Sequence, residues 1–302
     1  MSSIQDQLSW EQFKIYSEKE KKPIKKVSDF NRLIAHSKNF FLISGYGAFT
    51  DGYILIISKD FIPSYGLVKE SEIQEVRFLI KLVKQFMKEK YNRKTVIFEH
   101  GMCACIGGLD RAHLHLMSIS QNSSQKNIKK AINKVLYNRK AGVKYIEYNN
   151  YKLENLHDIN QIYEDYKDTD KVKIVGNLLK LGDIQNLPAK EWPLITLNHI
   201  TKGGHYVFFD SGDKDSSFLT THNFQTQFGR EVVYEIEKEL NNKFNSEMYK
   251  LEKSNPHTDV WRWQNFMFEK QIISTLKDAS VYFKKIEKNF LEDFKKYNLQ
   301  IL

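Results

Sequence analysis

The run Asp110-Arg-Ala-His113-Leu-His115-Leu-Met117 holds the densest set of chemically capable side chains in this sequence. In a strand, alternate side chains share a face, so His113 and His115 open onto one space while Leu114 and Leu116 turn into a core. Two imidazoles meeting one ligand can bind a metal, hold a phosphate, or supply a nucleophile together with its support. Arg111 falls on the same strand face as the histidines. Upstream lie Glu99-His100-Gly101 and a loop bearing Gly107 and Gly108, whose unhindered backbone N–H groups can approach phosphate closely. Two imidazoles, a guanidinium and a glycine loop make a better phosphate site than a core. Cys103 and Cys105 stand nearby as C-x-C, a weaker pattern than the C-x-x-C pairs of structural zinc sites, and no metal site is expected.

The elements that must position these residues are legible as periodicities. Phe40 to Ile43 and Gly52 to Ser58 are short apolar runs rich in β-formers around a glycine-bearing connection, the pattern of a hairpin. Ser71 with Gln74 reads as a capping box. Ile73, Val76, Ile80, Val83 and Met87 then recur at helical spacing, predicting a helix to about Tyr91. Thr95 to Glu99 follows as a strand, then the Cys/Gly loop, then Ala112 to Ile119 as another, so the first 120 residues read β-β-α-β-β. Residues 121–190 carry a short helix near 126–138 and no chemistry-bearing pattern, and are read as connector and insertion. Afterwards the order returns. Leu194 to Leu197 and Gly204 to Asp210 read as a second hairpin, and Phe224, Phe228, Val232, Ile236 and Leu240 as one face of a helix. Val260 to Trp263 stands where Thr95 to Glu99 stood. Order and spacing favour a diverged internal duplication over two unrelated α+β halves. Phe283, Ile286, Phe290 and Phe294 mark a closing helix.

Composition sets the bounds. The chain has 302 residues, 41% hydrophobic and 27% charged, enough for a sizeable core in two domains or one large pseudo-symmetric one. Two cysteines cannot form a disulfide framework, and the polar start lacks a signal-peptide core, so a reducing cytoplasm is expected. No apolar run is long enough to span a bilayer, and no membrane role is expected. The excess of 46 Lys and Arg over 37 Asp and Glu, net +9, suits a polyanionic partner or a solvated lysine-rich surface.

In the same residues the chain resembles the histidine triad (HIT) superfamily of nucleotide hydrolases and transferases, whose signature is His-φ-His-φ-His-φ-φ on a strand after a hairpin, a helix and a glycine loop. It is most similar to the branch reading Phe-Glu-His-Gly, a loop, then Cys-Gly-Val-Asp-His-Ala-His-Leu-His. Here that reads Phe98-Glu-His-Gly101, then Cys105-Ile-Gly-Gly-Leu-Asp110-Arg-Ala-His-Leu-His115. Gly52-Tyr53-Ile-Leu-Ile-Ile-Ser-Lys59 is similar to that family's Gly-His-x-Leu-Ile-x-Pro-Lys segment. The resemblance spans residues 38–120. A register shifted by one histidine would make Met117 the last position, but the Asp-x-Ala-His-Leu-His string favours His113 as central and His115 as last, with Arg111 where the first histidine is expected.

The resemblance implies an α+β fold of HIT-like antiparallel half-barrels with helices, duplicated within the chain. It divides the chain into an extension over 1–37, a catalytic half over 38–120, a connector over 121–190, and a degenerate half with a C-terminal helix over 191–302. It implies a nucleotide hydrolase or nucleotidyltransferase, diadenosine polyphosphate hydrolase-like or phosphorylase-like. Catalysis would fall to His113, His115 and Arg111, with a nucleotidyl group carried on His113. Substrate contacts would come from Tyr53, Lys59, Glu99, His100, Gly101, Gly107 and Gly108, and from Gln227, Arg230 and Arg262 of the other half. The partner would be a nucleotide or dinucleoside polyphosphate, with nucleic acid the lesser expectation. No cofactor is required, a divalent cation entering only as the nucleotide's counter-ion, and the unit would be a pseudo-dimer within one chain. Arg111 is a fixed cation and a poor proton donor, so the other outcome is a nucleotide sensor or nucleic-acid-binding protein on the same scaffold.

Overall fold

The computed structural model describes residues 16–17, 22–23, 32–45, 47–60, 62, 64–65, 68–101, 105–106, 109–110, 112–138, 146–149, 206–210, 216–220, 227–254, 260–262 and 269–302. They form an α+β fold built on one antiparallel sheet. Its strands are β3 (Leu33–His36), β4 (Phe40–Ser44), β5 (Ile54–Ser58), β6 (Lys94–Gly101), β9 (His113–Ile119), β10 (Ile146–Asn149), β11 (Tyr206–Asp210), β12 (Ser216–Thr220) and β13 (Gln300–Ile301). Two minor ladders pair β1 (Tyr16–Ser17) with β2 (Lys22–Pro23) and β7 (Cys105–Ile106) with β8 (Leu109–Asp110). The order across the sheet is β10-β12-β11-β6-β9-β5-β4-β3-β13, which puts the histidine strand β9 at its centre.

Helices cover both faces. On one side α1 (Glu70–Tyr91), α5 (Glu269–Ile286) and α6 (Leu291–Lys296) pack a core of Ile34, Leu42, Ile56, Leu114 and Leu116 with Val83, Phe86, Phe283 and Phe294. On the other, α2 (Gln125–Asn138) and α3 (Phe228–Leu240) close over Phe41, Leu55, Phe98, Met117 and Ile119; α4 (Asn242–Ser254) follows α3. Cover on both sides explains why β4 and β5 are continuous apolar runs, buried at every position, rather than alternating ones. Among the described residues, no helix is long and apolar enough to cross a membrane.

The expected hairpin, long helix, site strand and closing helical segment are present. Phe40 pairs with Ser58 across the hairpin, and α1 ends at Tyr91, with Asn92 in the left-handed region at φ 51°. The start of α1 differs from expectation: Lys69 is the N-cap, without a side-chain cap, and Ser71 lies inside the helix. Ion pairs from Lys69 to Asp60 at 2.7 Å and to Glu72 at 3.6 Å hold this end instead. In the second half, β11 coincides with the expected strand, but within the described residues it pairs with β12 and β6; Leu194 to Leu197 lie outside them. Val260 to Arg262 form a turn rather than a strand. The Trp261 carbonyl accepts from Arg230 Nη2 at 3.3 Å, which commits it away from a sheet ladder. Residues 121–190, read as connector, contribute β10 to the sheet edge.

Candidate functional site

Strand alternation sorts β9 as its sequence requires. Leu114 and Leu116 lie in the core under α1, while Met117 and Ile119 lie in the core under α2 and α3. His113 and His115 share the face of Met117 and Ile119 and are half-buried, at the end where that face opens. Their rings meet edge to face at 4.7 Å between centroids. His115 stands directly opposite Phe98 on β6 and Leu55 on β5, and His113 opposite Ile57.

His115 is enclosed by a row of parallel rings running across the strands. Phe209 stacks on Phe98 at 6.0 Å, Phe98 on His115 at 4.5 Å, and His115 on Tyr53 at 5.9 Å, with interplanar angles of 6°, 8° and 16°. Phe98, across from His115 on β6, covers one face of the imidazole, while Tyr53 meets it at the Nδ1 edge with its ring nearly parallel. The Tyr53 hydroxyl lies 2.5 Å from His115 Nδ1. That leaves the Nε2 edge as the part of His115 free to meet a ligand.

Behind Tyr53 lies Arg230, 2% exposed, from the first turn of α3. Its Nη2 donates to the Gly47 carbonyl at 2.7 Å, and its guanidinium stands over the rings of Phe49 at 5.0 Å and Tyr53 at 5.7 Å. Burial pushes the His115 imidazole well below its ordinary 6.5, and the positive charges of His113, His100 and Arg230 push it further the same way. Burial raises the Tyr53 hydroxyl, against the opposing pull of Arg230 and Arg32. His115 is therefore neutral at physiological pH, beside the fixed positive charge of Arg230. An arriving anion would be attracted by that charge.

The remaining expected site residues divide by position. His100 pairs with Val207 and faces the same side as Phe98 and His115. Gly101 ends β6, buried. Glu99 points to the opposite face: fully buried, it accepts the Tyr65 amide at 2.7 Å and anchors the segment after β5. Lys59 lies two residues beyond Ile57, so on the face of the histidines. Its ammonium donates to the Ser37 carbonyl and stands 5.0 Å over the Phe41 ring, while burial lowers its basicity. Gln227 is the N-cap of α3 at φ 72°, and Arg262 is exposed beside Trp261. Arg111, Gly107, Gly108 and Cys103 lie outside the described residues, and Cys105 is described only as backbone in β7. Among the described residues, no group of three His, Cys, Asp or Glu side chains is placed to hold a metal.

Two contributors escaped sequence reasoning. Phe209 joins the ring row through the β11–β6 register. Gly229 lets α3 sit directly on Phe98, since a Cβ there would fall 2.2 Å from the ring. The first was partly signalled by the apolar run Val207 to Phe209; nothing local signals the second. No protein family and no curated protein matches the chain, so the geometry of this pocket is what bears on its function.

Proposed function

We propose that the chain is a HIT-like nucleotide hydrolase or nucleotidyltransferase acting at an α-phosphate, with His113 as the nucleophile. The observation that carries the proposal is the convergence of His113 and His115, 4.7 Å apart on one strand face, with His100 on the same side of the neighbouring strand and the buried Arg230 adding positive charge. A nitrogen of His113 attacks phosphorus, the bond to the leaving oxygen breaks, and a nucleotidyl-histidine forms. Water or another acceptor then breaks the N–P bond and releases the nucleotide. His115 stabilises the charge on the non-bridging oxygens through its exposed edge, and Arg111 the charge on the departing group. The substrate class is a nucleotide or dinucleoside polyphosphate. Pairing of two half-barrel units within one chain belongs to the same proposal. It is supported by one sheet running through strands of both halves and by α3, which brings Arg230 from the second half into the pocket of the first.

The test is incubation with diadenosine polyphosphates, nucleotide sugars and adenylylated amines, followed by intact-mass analysis for a covalent nucleotidyl group. An adduct and turnover that both vanish in His113→Ala support the mechanism. Undiminished hydrolysis by that variant refutes it, and tight binding with neither adduct nor product replaces it with the sensor.

A further inference from the structure

We infer that Arg230 and Tyr53 act in series as positioning residues that hold His115 in the neutral tautomer with its proton on Nε2. His115 then meets a ligand as a fixed hydrogen-bond donor rather than as a proton shuttle. What that donor is aimed at rests on the nucleotide reading above; the tautomer itself does not.

The 2.5 Å contact between the Tyr53 hydroxyl and His115 Nδ1 holds one hydrogen, supplied by one side or the other. Arg230 decides which. A guanidinium is donor-only. Its Nη2 is occupied by the carbonyls of Gly47 and Trp261, and the side chain also stands close enough to the Tyr53 hydroxyl to act on it. The charge stands over the Tyr53 ring at 5.7 Å and is felt at its hydroxyl. A phenol oxygen beside a cation turns its lone pair toward the charge and its hydrogen away from it. The only turn that also satisfies the short contact sends that hydrogen to Nδ1. Were Nδ1–H the donor, the hydroxyl hydrogen would have to find another acceptor while the cation competes for the same oxygen. Nδ1 is therefore the acceptor, and the proton of the neutral ring resides on Nε2.

The surroundings lock this choice. Phe98 stacks on one face of the ring and Tyr53 holds its Nδ1 edge, so the imidazole cannot flip without breaking that contact and displacing Phe98. Tyr53 itself is 3% exposed and stays a phenol throughout the physiological range, because burial raises it. A tyrosine in this place orients the ring without exchanging protons with it. Proton delivery to a leaving group then falls outside the His115–Tyr53–Arg230 chain.

The experiment is long-range proton–nitrogen correlation NMR on the unliganded full chain near neutral pH, with the His115 signals assigned by their loss in His115→Asn. Wild type should show one neutral ring, with Nδ1 unprotonated and Nε2 protonated. Tyr53→Phe should show averaging between the two tautomers. A wild-type ring protonated on Nδ1, a charged ring, or a Tyr53→Phe spectrum unchanged from wild type overturns the inference; the wild-type spectrum alone decides if the variant does not fold. Where turnover exists, Tyr53→Phe should lower kcat by at most the roughly 10²- to 10³-fold of removing an oxyanion donor outright, with KM nearly unchanged. The spectra separate the two proposals. If the chain turns over no nucleotide, the tautomer prediction still stands or falls on them, and the wrong tautomer in an active enzyme overturns this inference alone.

Discussion

Gly229→Ala places one methyl group where α3 rests on the ring row. The added carbon would lie 2.2 Å from Phe98 Cδ2, 2.3 Å from Cγ and 2.7 Å from Cε2, against the roughly 3.5 to 4.0 Å of a favourable carbon contact. Either the helix lifts or the ring moves, by more than about 1 Å. Phe98 is 1% exposed and stacked between Phe209 and His115, so it has no empty space to enter. Overpacking of this kind costs about 1 to 3 kcal/mol, and alanine returns about 0.5 to 1 kcal/mol over glycine in a helix. The net expectation is a loss of up to about 2.5 kcal/mol in urea unfolding. Turnover should fall further than stability does, because displacement of about 1 Å at a reacting centre costs up to about 100-fold. Shortening the ring in Phe98→Leu makes room for the methyl, so Gly229→Ala should cost little in that background, with a coupling of roughly 1 kcal/mol or more in the double-mutant cycle. A Gly229→Ala protein that is stabilised by the full helix-propensity gain, with turnover intact, would refute the placement of α3 on Phe98.

Three further outcomes follow from the geometry. Arg93 reaches Glu237 at 2.6 Å, and the Glu237 side chain is 1% exposed, so Arg93→Met should leave a buried carboxylate without its cation and cost about 3 to 5 kcal/mol in urea unfolding; a loss below about 1 kcal/mol would mean the pair carries no weight. Burial holds His115 and His36 below their ordinary 6.5, so the unfolded chain binds protons that the folded chain refuses. Stability should therefore be fully present above about pH 6.5 and decline on acidification below it, by up to about 1.4 kcal/mol per pH unit from His115 and by less from the solvent-screened His36; urea midpoints that rise on acidification would contradict this. Glu99→Ala should lower stability by about 1 to 3 kcal/mol through the orphaned Tyr65 amide, yet leave nucleotide affinity within about twofold in calorimetric titration, because Glu99 lies on the far side of the sheet; a tenfold loss of affinity would place it in the pocket after all.

Much of the pocket's local order was already written in residue periodicity. A period of two puts His113 and His115 on one face and Leu114 and Leu116 on the other. The spacing from Ile73 to Met87 makes α1, and the phenylalanines from 283 to 294 make the closing helical segment. Such patterns are local: they depend only on strand and helix geometry, which every chain shares. The same period of two separates Glu99 from His100 on β6, and the apparent motif Phe98-Glu-His-Gly101 divides between the two faces of the sheet.

Only the tertiary structure decided what those faces meet. The pairing of β6 with β9 sets Phe98 opposite His115, and a slip of one residue would have put Ile97 or Glu99 there. The ends of the sheet come from distant chain, β13 pairing with β3 across more than half the sequence and β10 with β12 out of a segment read as connector. Lys59 lies on the expected face, but its ammonium is held by a carbonyl at the β3–β4 turn, a contact set by how the hairpin closes. Arg230 lies 115 positions from His115 along the chain and reaches Tyr53 because Gly229 admits α3 to the sheet. A sequence names the residue types that can carry charge, stack or accept a proton. Which of them share one buried space is settled by strand register and helix seating, and both are long-range properties of the packed chain.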